Sequence, residues 1–164
     1  MSFYRIREAT ASDAIVLTEA LVDAANWDVN RQQPRVTVLA DPMRRQYIAS
    51  WPRPGDVGFI AEDAEGEPIG ACWYRVFAAD RPGFAAIPGV PELTLGVRPV
   101  WRAQGVGRSL LKATLAAAAA AGHSRMALSV DRGNFAQRLY ISEGFVTVSS
   151  GDTAVVMVRN ARNG

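Results

Sequence analysis

The chain holds a single cysteine, a single histidine and a single lysine among its 164 residues. Cys72, alone, has no partner for an internal disulfide, so the chain is not a disulfide-framed secreted module. With one histidine and one cysteine, no cluster has metal-ligand spacing, and no metal is expected. The basic charge is almost all arginine, Lys112 being the only lysine, and no dense basic run occurs. The net charge is only +2, although the pI is about 9.0. A nucleic-acid partner is therefore not expected. Long hydrophobic runs are absent too. The alanine-rich stretch from Ala113 to Ala121 is far too short to cross a bilayer, so no membrane partner is expected. The opening MSFYRIREAT carries charge but no apolar core of a signal peptide. These absences together favour a cytoplasmic setting.

What remains is an ordinary globular composition, 49% hydrophobic and 21% charged. Residues 1–164 read as one domain, long enough to bury a core. Phe3 to Arg7 alternates as a strand, and Thr10 or Ser12 caps a helix over about Asp13 to Ala25. Residues 26–42, with Pro34 and Pro42, read as irregular or partly helical. Met43 to Ser50 reads as a short helix. Val57 to Glu62 and Ile69 to Ala78 read as strands joined by a turn. A long loop over 79–90 leads to a strand at Glu92 to Val97 and a helix at Gly105 to Ala121. In that helix Val106, Leu110, Leu111, Leu115 and Ala118 form an apolar stripe. Met126 to Val130 is a strand, Asn134 to Glu143 a helix, and Phe145 to Val148 and Thr153 to Val158 the last strands. This order predicts a mixed α/β layer fold.

The most informative stretch is PELTLGVRPVWRAQGVGRSLLK, residues 91–112. A strand ends in a Gly-rich turn that opens into a helix. Amides at such a helix start are unpaired and carry the positive end of the dipole, which suits a phosphorylated ligand. The P-loop pattern fails, because Gly107 is followed by Arg108 and Ser109 at the wrong spacing. The dinucleotide fingerprint fails at Leu110, which stands where its third glycine belongs. Arg102-Ala103-Gln104-Gly105-Val106-Gly107 matches R/Q-x-x-G-x-G/A in full.

That last pattern resembles the acetyl-CoA pyrophosphate motif of the GNAT N-acetyltransferase superfamily. Residues 134–145, NFAQRLYISEGF, resemble the N-x-x-A-x-x-L-Y-x-x-x-G-F signature of the same superfamily, with one residue fewer before Ala136. The opening Ile6 to Ala14 is also similar. The resemblance spans essentially the whole chain, most closely residues 92–145 and least 24–56. It implies a mostly antiparallel central sheet flanked by helices, with acetyl-CoA as cosubstrate. It implies pyrophosphate on the amides from Gln104 to Ser109, each dipole contact worth roughly 0.3–1 kcal/mol, helped by Arg102 and Arg108. Gln104, Gly105, Val106, Gly107, Arg108 and Ser109 are thus cofactor-binding candidates. The Val97 backbone would pair with pantetheine, and the Leu95 N–H would face the thioester carbonyl.

The resemblance also implies that Tyr140 is the general acid. A thiol has a reference pKa of ~8.5 and tyrosine ~10, so its hydroxyl can deliver a proton to the leaving thiolate. Packing of Tyr140 on the sheet is the bland alternative. Asn134 caps the following helix with Gln137 in a capping-box-like pair, or touches CoA. An amine acceptor of pKa ~10.4 costs about 4–5 kcal/mol to deprotonate at pH 7. Glu92 is the candidate base, with a solvated strand-end glutamate as its bland alternative. Nothing in the spacing selects Asp28 or Asp131. His123 reads as a helix-end residue facing free carbonyls, and Cys72 as core. The acceptor would be a small-molecule or peptide amine, recognised by Trp27, Asp28, Arg31 and Arg35, by Phe84 in the 79–90 loop, and by Ser149 to Asp152. Trp27 and Phe84 would form an apolar wall. Dimerisation through exposed strands is common in the superfamily and is an expectation here. The alternatives left open are a non-catalytic CoA-binding sensor or partner module, a Rossmann-like nucleotide binder, and a different acyl donor.

Overall fold

The computed structural model describes residues 3–160. Seven strands form one sheet: β1 Tyr4–Glu8, β2 Val57–Asp63, β3 Pro68–Arg75, β4 Glu92–Val97, β5 Arg125–Asp131, β6 Val146–Ser150 and β7 Ala154–Asn160. Their order across the sheet is β1-β2-β3-β4-β5-β7-β6. Every neighbouring pair is antiparallel except β4 and β5, which run parallel and register at Glu92 and Ala127. The sheet is therefore mixed and mostly antiparallel, as expected.

Helices cover both faces, and the burial of β3 reflects it. From Ile69 to Arg75 every residue of β3 is buried, as for a strand with no solvated face. On one face lies α1, Ala14–Ala25, whose Leu17, Ala20 and Leu21 pack with Ile60, Ala71 and Trp73. On the other lies α4, Val106–Ala120. The apolar stripe read from its sequence is buried in full, against Leu93, Met126 and Leu128. Contact between α1 and β4 is close. A Cβ at Gly96 would stand 1.9 Å from the Ala20 carbonyl oxygen, so only glycine lets that backbone lie on the strand.

The remaining helices are short: α2 Arg35–Ala40, α3 Pro42–Arg45 and α5 Ala136–Ser142. The stretch expected to be irregular or partly helical thus contains α2, which Pro34 starts by accepting from Thr37 and Val38 N–H at 2.9 and 3.1 Å. The helix expected over Met43 to Ser50 stops after Arg45 and continues as turns. The strand expected to reach Ala78 ends at Arg75, where a buried ion pair to Asp56 at 2.7 Å ties it to the preceding loop. Among the described residues no helix is long and apolar enough to cross a membrane.

Candidate active site

Beyond their shared root, β4 and β5 diverge. The Ala127 N–H donates to the Pro91 carbonyl at 2.9 Å, closing the sheet at that end. Further along, the Arg98 N–H donates to Ile69 on β3 at 2.9 Å. Antiparallel pairing alternates, so Gly96 and Thr94 also face β3, while the backbone groups of Leu95 and Val97 turn toward the gap. Two cavities open at this gap, one of about 370 Å³ and one of about 300 Å³. Leu95 and Ala24 line both.

The larger cavity is bounded by the Gly-rich turn and the start of α4. Gly105 sits at φ +86, a left-handed conformation that favours glycine, and turns the chain into the helix. The first helical bond runs from the Ser109 N–H to the Gly105 carbonyl at 3.1 Å. Val106, Gly107 and Arg108 therefore present the amides that no helical carbonyl can reach. Of the candidate cofactor residues, Leu95, Val97, Arg102, Gly105, Gly107 and Arg108 line this cavity. The other four do not, each for a visible reason. The Ser109 N–H is spent in the helix, and its hydroxyl pairs with the Tyr4 hydroxyl at 2.8 Å. The Val106 side chain is buried in the core, leaving only its amide. Gln104 folds back, donating to the Val100 carbonyl at 3.1 Å. Asn134 accepts the Ala136 N–H at 2.9 Å within the turn that leads into α5, and Gln137 completes no capping box.

Two arginines hold the turn in place. Arg102 donates to the Val97 carbonyl at 3.3 Å and to the Asp23 carbonyl at 3.1 Å, bracing β4 against α1. Arg108 pairs with Glu143, which Lys112 also approaches at 3.3 Å.

The smaller cavity holds Tyr140, Glu92, Tyr47, Asp131, Asp41 and Arg44 among its lining residues. Tyr140 is only 6% exposed and packs edge-on to Phe145 at 5.7 Å. Burial, then the neighbouring Cys72, push its hydroxyl pKa up. Burial also pushes the Cys72 thiol up to about 12, which leaves it core rather than nucleophile. Glu92 is 4% exposed and is no solvated strand end. Burial raises its carboxyl pKa, and the Tyr47 hydroxyl and Ala85 N–H oppose that rise. Tyr47 donates to Glu92 and accepts the Phe84 N–H at 2.8 Å, so one hydroxyl links the turns after α3, the 76–91 loop and β4.

Several recognition candidates lie elsewhere. Arg31 pairs with Asp28 at 3.4 Å and Arg35 with Glu19 at 2.7 Å, and none of the four lines either cavity. Trp27 and Phe84 do not form one wall. Trp27 lines the larger cavity and donates to Asp131 at 2.9 Å, whereas Phe84 stacks on Tyr47 in the smaller one. Of the turn at Ser149 to Asp152, no residue lines the smaller cavity, which takes Thr153 and Ala154 instead. The His123 ring packs edge-on to Tyr74 at 5.4 Å, and only its backbone N–H reaches a helix-end carbonyl. Arg44 and Tyr47 carry no motif, and sequence reasoning missed both. Among the described residues no group of three or more His, Cys, Asp or Glu is placed to hold a metal.

Known proteins share this architecture. The PaiA N-acetyltransferase of Thermoplasma acidophilum, solved with coenzyme A, superposes with a TM-score of 0.70 at 17% identity, over 96% of this chain and 99% of that one. The yncA protein of Salmonella typhimurium, solved with its cofactor acetyl-CoA, gives 0.64 at 22% identity, over 99% and 96%. A mycothiol acetyltransferase of Saccharomonospora viridis is 29% identical over 128 residues, 77% of this chain. This chain spans only 40% of that relative's length. The family model of the acetyltransferase (GNAT) domain matches residues 54–147, which contain the gap, the Gly-rich turn and Tyr140, and with more than half of its length matched the chain belongs to the GNAT acetyltransferase family.

Proposed function

We propose that residues 1–164 act as one domain that transfers the acetyl group of acetyl-CoA to a primary amine, by direct attack in a ternary complex. The observation that carries this reading is the pair of cavities meeting at the β4–β5 gap with Leu95 in both walls. One cavity has the helix start with its free amides, and the other has the buried Tyr140 and Glu92. Pyrophosphate would rest on the Val106 to Arg108 amides. Pantetheine would extend along Val97, bringing the thioester to Leu95. Two solved structures of the same fold, with coenzyme A and acetyl-CoA, support that cosubstrate.

The chemistry then needs few groups. Glu92 takes the proton of the ammonium, and the amine lone pair attacks the thioester carbonyl carbon. The Leu95 N–H donates to the oxyanion that forms, a contact worth ~3–4 kcal/mol in a dry site. Collapse breaks the C–S bond, and the Tyr140 hydroxyl protonates the leaving thiolate. A raised carboxyl pKa suits Glu92 to proton uptake nearer neutrality than an ordinary carboxylate. The single cysteine, unpaired and buried, supports a cytoplasmic setting.

Thermal unfolding with acetyl-CoA, CoA, NAD and ATP side by side tests the reading. Ligand at 100 times its Kd stabilises by about 2.7 kcal/mol. Stabilisation by acetyl-CoA and CoA alone is the expected result. Stabilisation by NAD or ATP instead, or by nothing, would overturn it.

A further inference from the structure

The smaller cavity carries a charge that the transfer chemistry does not use. Arg44 lies in the last turn of α3 and is the one cation lining that cavity among the described residues. It is half-buried, and its guanidinium donates to the neutral Gln33 side chain at 3.0 Å. Arg31, Arg35 and Arg75 each meet a carboxylate within 3.4 Å, but Arg44 forms no ion pair among the described residues. Asp41 lines the same cavity, yet it is committed to capping α3 through the Met43 N–H at 3.0 Å. A guanidinium cannot shed its charge, and its planar fork fits a carboxylate. The other walls carry the opposite sign, from Glu92 on β4 and from Asp131 at the end of β5.

Resting on the acetyltransferase reading, we propose that the acceptor is a small amino-acid-like zwitterion whose carboxylate is received by Arg44, with its amine held on the Glu92 side beside Leu95. A cavity of about 300 Å³ suits a molecule of that size. A polycation would meet the fixed charge of Arg44. A peptide N-terminus would place a neutral amide where the guanidinium waits.

The test uses matched acceptors with acetyl-CoA: free α-amino acids, their carboxamides, and the corresponding decarboxylated amines, read by release of the CoA thiol. At least one free acid should exceed its own amide and amine by about tenfold or more in kcat/KM, the size expected of a charge-assisted contact. Arg44→Gln should erase that preference while stabilisation by acetyl-CoA stays as in the wild type. Arg45→Gln, at an exposed position on the same helix, should keep it. Preference for amides or amines, equal loss on acid and amide in Arg44→Gln, or no transfer to any free acid would overturn the inference. Loss of stabilisation by acetyl-CoA in the wild type would instead overturn the acetyltransferase reading beneath it.

Discussion

Tyr47 and Glu92, 45 residues apart, share a buried hydrogen bond in which the tyrosine hydroxyl donates to the carboxylate. The Ala85 N–H approaches both oxygens of Glu92 at 3.3 Å. Burial pushes the Glu92 pKa up, and these two donors hold it down. Removing one donor with Tyr47→Phe should raise it further. A base works only when deprotonated, so the rising limb of kcat/KM against pH should move to higher pH. A charge-assisted hydrogen bond is worth about 1.5–3 kcal/mol, so kcat/KM on the acidic side of that limb should fall by about tenfold or more. An acid limb that stays in place would remove Glu92 from the base role.

Tyr140→Phe deletes one oxygen and leaves the ring against Phe145. The proton for the departing thiolate must then come from solvent. We expect kcat to fall by ~10²-fold or more, with little change in CoA affinity, because Tyr140 lines the smaller cavity and not the larger. Pre-steady-state and steady-state release of the CoA thiol measure it. An unchanged kcat would exclude Tyr140 as the acid.

Gly107→Glu isolates the anion site from the fold. A Cβ there meets Leu139, Leu95 and Val97 side chains at 3.6–3.8 Å, which is ordinary contact. The added carboxylate would occupy and repel the pyrophosphate position. We expect a folded protein whose CoA affinity, by calorimetry, is weaker by about tenfold or more. Normal affinity would refute the assignment of the turn. Gly105 is a poorer test, since its φ of +86 strains any other residue.

The parts of the site that the sequence announced are those with local causes. β4 falls at Glu92–Val97 as expected, and α4 follows the Gly-rich turn because alanine and the apolar stripe both favour helix there. Tyr47 and Arg44 were illegible for the opposite reason. They lie in a stretch of short helices and turns without periodicity, and only tertiary packing brings Tyr47 to Glu92. Of Arg31, Arg35 and Arg44, only Arg31 has its carboxylate three residues away, and the pairing of the others rests on tertiary packing. Arg31, Arg35 and Arg44 look alike in sequence, and the carboxylates that neutralise the first two come from Asp28 and Glu19. Gln104 stands at a variable position of the motif and Ser109 just beyond it, so the pattern could not say which side chains turn away.

Arg7 grips Asp13 through two nitrogens at 2.8 Å each, and the Thr10 N–H adds a third contact at 2.7 Å. The Arg7 guanidinium, despite the cost of burial, lowers the Asp13 pKa from 3.8 to about 2. The folded state therefore binds this proton less readily than the unfolded chain. Its contribution is complete above the unfolded value near 3.8 and is lost as pH falls through about 2. Because the Arg7 side chain is 35% exposed, the contribution is discounted to about 1–2 kcal/mol. Asp13→Asn should lower the unfolding free energy measured by urea titration at pH 7 by that amount. The gap to the wild type should narrow between pH 4 and pH 2 and close below it. A gap that persists unchanged at the acid end would mean that Asp13 stabilises the α1 entry by its neutral hydrogen bonds alone.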